Sequence, residues 1–298
     1  MIPTPSFGTA FGRFLIQLRI RFIAVLAPIF LWGAFVHDPA AFPGVRFWVA
    51  FALYNVCLYG GVNALNTYYD KSTGPIGGLK KPPAVDPSLL RLAWGIQIVG
   101  AVVAAAMGLP AAFIAIYAIF MALSVAYSHP AVRLKGSPIG SAAVVAIGQG
   151  FLTYAAGWLA AGGALGDVLG STPLLGGIAV SALALGMYPL TQLYQLEDDA
   201  KAGDRTLSRA LGVKGSFAFS LGLLAVSGAA LIAVLYRLEG QLDALLVGAF
   251  WLGHLVHIWW WGRNFEGGAW ERNYAKVMGT NYVDAAVFAT YIVGRWLN

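Results

Sequence analysis

The chain has 298 residues, of which 59% are hydrophobic and 11% are charged, whereas soluble domains usually carry roughly 25% charged residues. So few charges cannot cover so apolar a core in water, which excludes a soluble enzyme, a disordered chain and a nucleic-acid-binding protein, despite the net charge of +6. The single cysteine, Cys57, excludes a disulfide framework. The composition therefore predicts an all-α polytopic membrane protein that contacts lipid and has no nucleic-acid partner.

Nine apolar stretches are long enough to cross a bilayer as helices, which requires about 20 mostly apolar residues each. They lie at residues 17–36, 47–68, 89–108, 110–127, 139–162, 173–195, 214–236, 241–262 and 279–297. The first contains Arg19 and Arg21 near its start. Glycine is frequent, with 37 residues, and small residues allow membrane helices to pack closely. We therefore expect a tight bundle of nine transmembrane helices.

Lysine and arginine fall mainly on one side of the predicted bundle. Of the 19 basic residues, all except Arg46, Arg237 and Arg295 lie at the N-terminal end, up to Arg21, or in the loops that follow spans two, four, six and eight. Short loops rich in lysine and arginine stay in the cytoplasm. This distribution predicts an integral protein of the bacterial inner membrane, with a cytoplasmic N-terminus, an external C-terminus and an odd number of spans.

Acidic residues cluster in two of these basic loops. Asp70 directly follows the second span, and Glu197, Asp198, Asp199 and Asp204 follow the sixth. Carboxylates at the mouth of a helix bundle, mixed with lysines and arginines, are suited to binding Mg2+ and a polyanion together. The alternative interpretation is a solvated loop with ordinary charges.

The two acidic loops divide the chain into similar halves, because each follows an even-numbered span and continues with glycine and basic residues. We expect one membrane domain over residues 1–298, in which helix one precedes two pseudo-repeated four-helix halves, 47–162 and 173–297. The halves would bring Asp70 and Asp199 to face each other across a central cavity. A metal-bridged diphosphate would then lie between the opposed acids, with basic residues on its outer oxygens.

Four sequence elements resemble the UbiA superfamily of intramembrane prenyltransferases. Asn66 and Asp70 match the first and fifth positions of the family motif N-D-x-x-D-x-x-x-D, and Asp199 and Gly203 match the second motif, D-x-x-x-D with a following glycine. The other two elements are the segment Tyr127-Ser128-His129-Pro130, continued by Arg133 and Lys135, and the basic-proline element Lys80-Lys81-Pro82. The resemblance covers the whole chain and implies a nine-helix bundle around a central cavity.

The resemblance also implies an activity. The enzyme would move a polyprenyl group from its diphosphate to a lipophilic acceptor within the membrane, such as an aromatic ring or quinone precursor. Asp70 and Asp199 would be the catalytic residues, and together with Asp198 they would hold Mg2+ against the diphosphate. The implied diphosphate ligands are Asn66, Lys80, Tyr127, Arg133, Lys135, Lys201 and Arg205.

Three positions lack a carboxylate that the family motifs contain. Thr67 and Gly74 replace aspartates of the first motif, and Gln195 replaces the aspartate that begins the second. Each replacement removes a ligand suited to Mg2+. The alternative hypothesis is a non-catalytic lipid- or pigment-binding subunit that retains the fold and has a partner in a membrane complex. A transporter is disfavoured, because the acids cluster at one face and not at the membrane midplane.

Two further polar features lie inside predicted spans. His254 and His257 are three residues apart and share a helix face. They would either bind a metal or a tetrapyrrole, or form hydrogen bonds within the bundle. Asp284 lies near the start of the ninth span, where an acid is a functional candidate and a position at the membrane interface is the alternative.

Overall fold

The computed structural model describes residues 9–71 and 74–297, and within these ranges the chain forms helices and no strand. In chain order the helices are α1 (Ala10–Gln17), α2 (Ile20–His37), α3 (Val45–Asp70), α4 (Leu89–Ala106), α5 (Ala111–Ser128), α6 (Pro138–Ala160), α7 (Ser171–Gln192), α8 (Leu196–Lys201), α9 (Leu207–Leu238), α10 (Gln241–Arg263) and α11 (Trp270–Leu297).

Eight helical segments within the described ranges are long and apolar enough to span a membrane, and they coincide with the first eight predicted spans. The first of them runs over Ala10–His37 and comprises α1 and α2. The ninth predicted span, 279–297, lies in α11, which is 28 residues long but more polar than these eight segments. The predicted all-α membrane fold is confirmed, with eight clear spans and α11 as a ninth long helix.

Local breaks in helical geometry explain where the predicted boundaries shift. Arg19 has a left-handed backbone, with φ 55°, and separates α1 from α2. Gly212, with φ 67° and ψ 173°, interrupts α9, so that the long apolar part of this helix begins close to the predicted residue 214. In α6, residues Val144–Leu152 form a π-helical segment, a geometry that often occurs at functional sites. Part of this segment lines the central cavity.

The hydrophobic core is centred on α2. Its side chains Phe30, Trp32 and Phe35 are fully buried, and the Trp32 indole Nε1 donates a hydrogen bond to the Gly176 carbonyl oxygen of α7 at 3.1 Å. A membrane helix gains little from hydrophobic burial against other apolar helices, so close packing and interhelical hydrogen bonds hold such a bundle together. The central position of α2 therefore rests on the fit of its side chains.

Two glycines allow the backbones of α2 and α6 to approach each other directly. A Cβ atom at Gly33 would collide with the Tyr154 carbonyl oxygen, and a Cβ atom at Gly157 would collide with the Phe30 carbonyl oxygen. Small residues at such crossings are typical of tightly packed membrane helices. The glycines thereby set the distance between α2 and α6, both of which carry cavity-lining residues.

We expect Gly157→Ala to destabilise the folded bundle by about 1–3 kcal/mol, because the added methyl group forces α2 and α6 apart. The measurement is the thermal unfolding midpoint of the purified protein in detergent. The matched control is Gly95→Ala in α4, where an added Cβ has no described atom within 4 Å. Equal midpoints for the two variants would contradict the role assigned to this helix crossing.

Candidate active site

The loops that follow α3, α5 and α7 meet at one end of the bundle, called here the motif end. Lys135, after α5, forms an ion pair with Asp70 at the end of α3. Gln195, after α7, donates a hydrogen bond from its side-chain amide to the Pro75 carbonyl oxygen at 2.7 Å. The fold therefore brings together three loops that are far apart in the sequence.

Asp70 is the last residue of α3 and is held from both sides. Its Oδ1 accepts from Lys135 Nζ, and its Oδ2 accepts from Asn66 Nδ2 at 3.0 Å. The Asp70 and Lys135 side chains are each only 14% exposed, so water screens their attraction weakly. The carboxylate therefore has a fixed orientation, and an incoming polyanion would meet Lys135 directly beside it.

Arg19 is a buried cation at the same site, although it belongs to none of the sequence motifs. Its Nη2 donates to Thr67 Oγ1 at 2.5 Å, and to Asn66 Oδ1 and the Asn63 carbonyl oxygen at 3.3 Å each. The residue is 6% exposed, lines the central cavity, and its Nε has no hydrogen-bond partner among the described residues. A basic residue inside an apolar stretch was the sequence signal for it.

Gly74, one of the three positions without a motif carboxylate, makes room for a carboxylate from another loop. A Cβ atom at Gly74 would lie 2.5 Å from Asp198 Oδ2. Asp198 thus occupies the space into which a side chain at position 74 would project. The acid missing from the first motif is replaced in space by an acid from the second loop.

The glycine-rich segment after Gly74 forms a turn. Ile76 and Leu79 exchange backbone hydrogen bonds of 2.9 and 2.8 Å, and Gly78 adopts the left-handed backbone, with φ 80°, that favours glycine. Gly78 packs against Phe22 of α2, because a Cβ atom there would lie 2.9 Å from Phe22 Cβ. This packing and the hydrogen bond from Gln195 hold the segment against the N-terminal end of α2.

A second ion pair joins the loops after α5 and α7. Arg133 makes two parallel hydrogen bonds to Asp204, from Nε to Oδ1 at 2.7 Å and from Nη2 to Oδ2 at 2.8 Å. The Asp204 side chain is 6% exposed. These hydrogen bonds raise the pKa of Arg133 above its ordinary value. Bidentate pairs of this kind fix geometry as well as charge.

Asp199 lines the cavity without an ion-pair partner at salt-bridge distance among the described residues. The pKa of Asp199 is raised to about 6, mainly by burial and also by the nearby charges of Asp204 and Asp70, whereas the Thr206 hydrogen bond and the charge of Lys135 act in the opposite direction. The Thr206 hydroxyl donates to Asp199 Oδ2 at 3.2 Å. The charge of Asp199 therefore changes as the pH passes through about 6.

Most of the residues predicted for diphosphate and metal binding line one cavity, and two do not. The residues that line it are Asn66, Asp70, Tyr127, Arg133, Lys135, Asp198, Asp199 and Lys201. Lys80 instead forms an exposed ion pair with Glu271 of α11 at 3.1 Å, and Arg205 is exposed. Neither Lys80 nor Arg205 is among the described residues that line the cavity, so the structure does not support their predicted contact with a diphosphate there.

The cavity has a volume of about 720 Å3, within the range of small-molecule sites. Its mouth at the motif end carries the acids, bases and the hydrogen-bonded pair Tyr127 and Tyr188, whose hydroxyls lie 2.9 Å apart. Its interior is lined mainly by apolar side chains, including Phe120, Leu183 and Phe250. The cavity therefore suits an amphiphile with a charged head at the mouth and an apolar tail inside.

The acids at the mouth fit a metal ion that arrives with a polyphosphate. Among the described residues no group of three or more histidine, cysteine, aspartate or glutamate side chains is preassembled to hold a metal. Mg2+, however, is commonly bound by one or two carboxylates together with phosphate oxygens and water. Asp70, Asp198 and Asp199 all line the mouth and offer carboxylate oxygens of this kind.

A protein-family model described as the UbiA prenyltransferase family matches residues 26–280. The chain belongs to the UbiA prenyltransferase family. No curated protein sequence matches it.

Solved structures of UbiA homologues have the same fold. A UbiA homologue from Archaeoglobus fulgidus bound to GPP and Mg2+ is 17% identical, with a TM-score of 0.71 over 96% of this chain and 100% of that chain. The apo UbiA homologue from Aeropyrum pernix K1 is 21% identical, with a TM-score of 0.67 over 91% of this chain and 96% of that chain. A digeranylgeranylglyceryl phosphate synthase is 14% identical, with a TM-score of 0.65 over 97% of this chain and 99% of that chain.

We expect Thr206→Val to raise the pKa of Asp199 above its value of about 6, because the hydroxyl that stabilises the ionised carboxylate is lost. In the unaltered protein the carboxyl group becomes neutral as the pH falls through about 6. The measurement is carbon NMR of labelled aspartate carboxyl groups, with Asp199→Asn assigning the signal. Thr172→Val, at the opposite end of α7, should leave the titration unchanged. A Thr206→Val midpoint equal to that of the unaltered protein would show that the hydrogen bond does not influence Asp199.

Proposed function

We propose that this UbiA-family chain is an intramembrane prenyltransferase that moves a polyprenyl group from its diphosphate to a lipophilic acceptor. The observation that carries the proposal is the continuity of one cavity, from a mouth with Asp70, Asp199 and basic side chains to an apolar interior. The A. fulgidus homologues bound to GPP or DMAPP with Mg2+ support it. A prenyl diphosphate has the same division into a charged head and an apolar tail.

The diphosphate would bind at the mouth. Asp70, Asp198 and Asp199 would hold Mg2+, which when bound neutralises charge on the phosphate oxygens. Lys135 and Arg133 would lie on the other oxygens, because both line the same mouth. Each currently pairs with an aspartate, so the diphosphate would share these cations with the acids.

Arg19 would compensate for the missing acid at Thr67. A carboxylate acts in such a site by holding a cation against the diphosphate, whereas Arg19 is itself a cation fixed beside Thr67. An arginine remains charged across the physiological pH range, and Arg19 lines the cavity, so its charge would attract the diphosphate. One site of positive charge would thus be supplied by the protein.

The reaction would proceed by ionisation of the allylic carbon–oxygen bond. The bonding electrons leave with the diphosphate, and the cations at the mouth stabilise its developing charge. The rings of Tyr127 and Tyr188 lie beside the mouth and would shield the allylic cation through their π faces. The apolar interior would exclude water until the acceptor forms the new bond to carbon and releases a proton.

The orientation and the internal repeat stay predictions. The chain is an integral membrane protein by the length and apolar character of its helices. We propose that the motif end faces the cytoplasm of a bacterial inner membrane, because the basic loops gather there. We likewise propose the two four-helix halves, 47–162 and 173–297, as the origin of the opposed acidic loops.

A second candidate function is supported by the charge balance at the mouth. Asp70 and Asp204 are already neutralised by Lys135 and Arg133, as expected if no metal–diphosphate is ever bound. In that case the chain would be a non-catalytic lipid- or pigment-binding subunit of a membrane complex. Release of diphosphate that depends on Mg2+ distinguishes the enzyme from the subunit.

We expect the double variant Asp70→Asn, Asp199→Asn to release diphosphate at least about 100-fold more slowly than the unaltered protein, because the transition state loses its electrostatic stabilisation. The assay incubates purified protein with labelled prenyl diphosphates of several chain lengths and with candidate acceptors, with and without Mg2+. Asp167→Asn, in the short helical turn Gly166–Leu169 away from the cavity, should remain active. Full activity of the double variant would exclude the proposed roles. No release by the unaltered protein under any condition would favour the non-catalytic subunit.

Moving one carboxylate from position 198 to position 74 tests whether Asp198 takes the place of the acid that the first motif lacks at Gly74. We expect Asp198→Gly to raise the Mg2+ concentration needed for half-maximal diphosphate release by about tenfold. The double variant Gly74→Asp, Asp198→Gly should restore the original requirement, because both side chains project into the same space. Gly74→Asp alone places two carboxylates together, and they repel each other. The folded state of this variant should therefore depend more strongly on bound Mg2+ for its stability. A double variant that remains as impaired as Asp198→Gly would show that the two positions are not equivalent.

A further inference from the structure

The deep part of the cavity contains an acid that the proposed chemistry does not use. Asp284 lines the cavity and lies beside His254, which is near the middle of the membrane-spanning helix α10. The alternative of a position at the membrane interface is therefore not supported. Ionisable side chains at this depth are costly and are usually paired or functional.

His254 of α10 holds Asp284 in place. The His254 Nδ1 atom lies 3.0 Å from Asp284 Oδ1, and the two side chains are only 3% and 13% exposed. The imidazole stacks on the ring of Trp251, with ring centroids 5.4 Å apart and an interplanar angle of 29°. With a proton on Nδ1, the imidazole donates to Oδ1, and Oδ2 receives no hydrogen bond from it.

The pair is incomplete within the part of the chain that the structure describes. Asp284 Oδ2 and His254 Nε2 are both buried and have no hydrogen-bond partner among the described residues. The neighbouring His257 differs, because its Nε2 lies 3.1 Å from Thr280 Oγ1 and it does not line the cavity among the described residues. A buried carboxylate oxygen without a partner is unfavourable by an amount that a ligand hydroxyl or N–H would recover.

The surrounding wall indicates which kind of ligand would supply that donor. On α11, Asn281, Asp284 and Tyr291 line the cavity, whereas Leu246 and Phe250 of α10 form part of an apolar wall. A prenyl tail has no hydrogen-bond donor and gains nothing from Asp284. A ligand that carries its own carboxylate near this point would be repelled.

We propose that Asp284, positioned by His254, binds a lipophilic ligand through a hydroxyl or amine that donates to Asp284 Oδ2. The ligand carries no carboxylate near that group. In the reaction proposed above this ligand is the prenyl acceptor, and that identification rests on the proposed function, whereas the binding site itself does not. The proposal therefore assigns the acceptor to neutral or cationic hydroxyl- or amine-bearing lipids.

The test uses a matched pair of probes, para-nonylphenol and its methyl ether, which differ in the hydrogen-bond donor. Binding of each to the full-length protein in detergent is measured by titration calorimetry. We expect the unaltered protein to bind the phenol at least about tenfold more tightly than the ether. Asp284→Leu should abolish this preference, because no acceptor remains.

Two further variants keep the test independent of folding defects. Asp284→Asn preserves the side-chain shape. Its amide oxygen would accept from His254 Nδ1–H, so its NH2 group, a donor, would stand where Asp284 has Oδ2. The preference for the phenol should therefore disappear. His257→Phe, on α10 one turn from His254, is the control and should retain the preference. Equal affinities for phenol and ether in the unaltered protein, or a retained preference in Asp284→Asn, would overturn the proposal.

Diphosphate release measured on the same preparations separates this site from the proposed activity. A preference for the phenol without any diphosphate release would leave the Asp284 site intact and refute the prenyltransferase. Diphosphate release without a preference for the phenol would support the enzyme and refute the Asp284 site.

Discussion

A charge held away from water requires a compensating partner, and this requirement organises the polar residues of the bundle. At the motif end, Lys135 compensates Asp70 and Arg133 compensates Asp204. Each pair joins two loops that are distant in the sequence. The contacts that neutralise the acids therefore also hold the mouth of the cavity together, and the electrostatic role of these residues is inseparable from their structural role.

The neutral residues at three motif positions are understood through the same balance. Thr67 accepts a hydrogen bond from Arg19, so a fixed cation already lies where the motif has an acid. Gly74 leaves the space that Asp198 fills, and Gln195 ties the two loops through Pro75. The replacements change which loop supplies each charge, and the mouth still presents both acids and bases to the cavity.

The sequence was sufficient for features that depend on composition and spacing. Span positions follow from the length of apolar helix that a bilayer requires, and both Asp70 and Asp199 line the cavity, as their places after even-numbered spans predicted. Contacts between loops were not predictable in this way. Lys80 belongs to a basic-proline element, yet it pairs with Glu271 from the other end of the chain. In the sequence, Arg19 is only a charge near the start of a span, and its contacts with Asn63, Asn66 and Thr67 of α3 are visible only in the structure.

The polarity of α11 has a physical explanation in the cavity. This helix matches a predicted span in length but is less apolar than the others, which is unfavourable for a helix that contacts lipid on all sides. Asn281, Asp284 and Tyr291 contribute to that polarity, and all three line the cavity. Their polar groups therefore face a ligand chamber, where Tyr291 is satisfied by Asp243 at 2.9 Å and Asp284 only in part by His254. A chamber for a hydrocarbon tail alone would need none of these groups, so the polar face of α11 argues for a second ligand with a hydrogen-bonding group of its own.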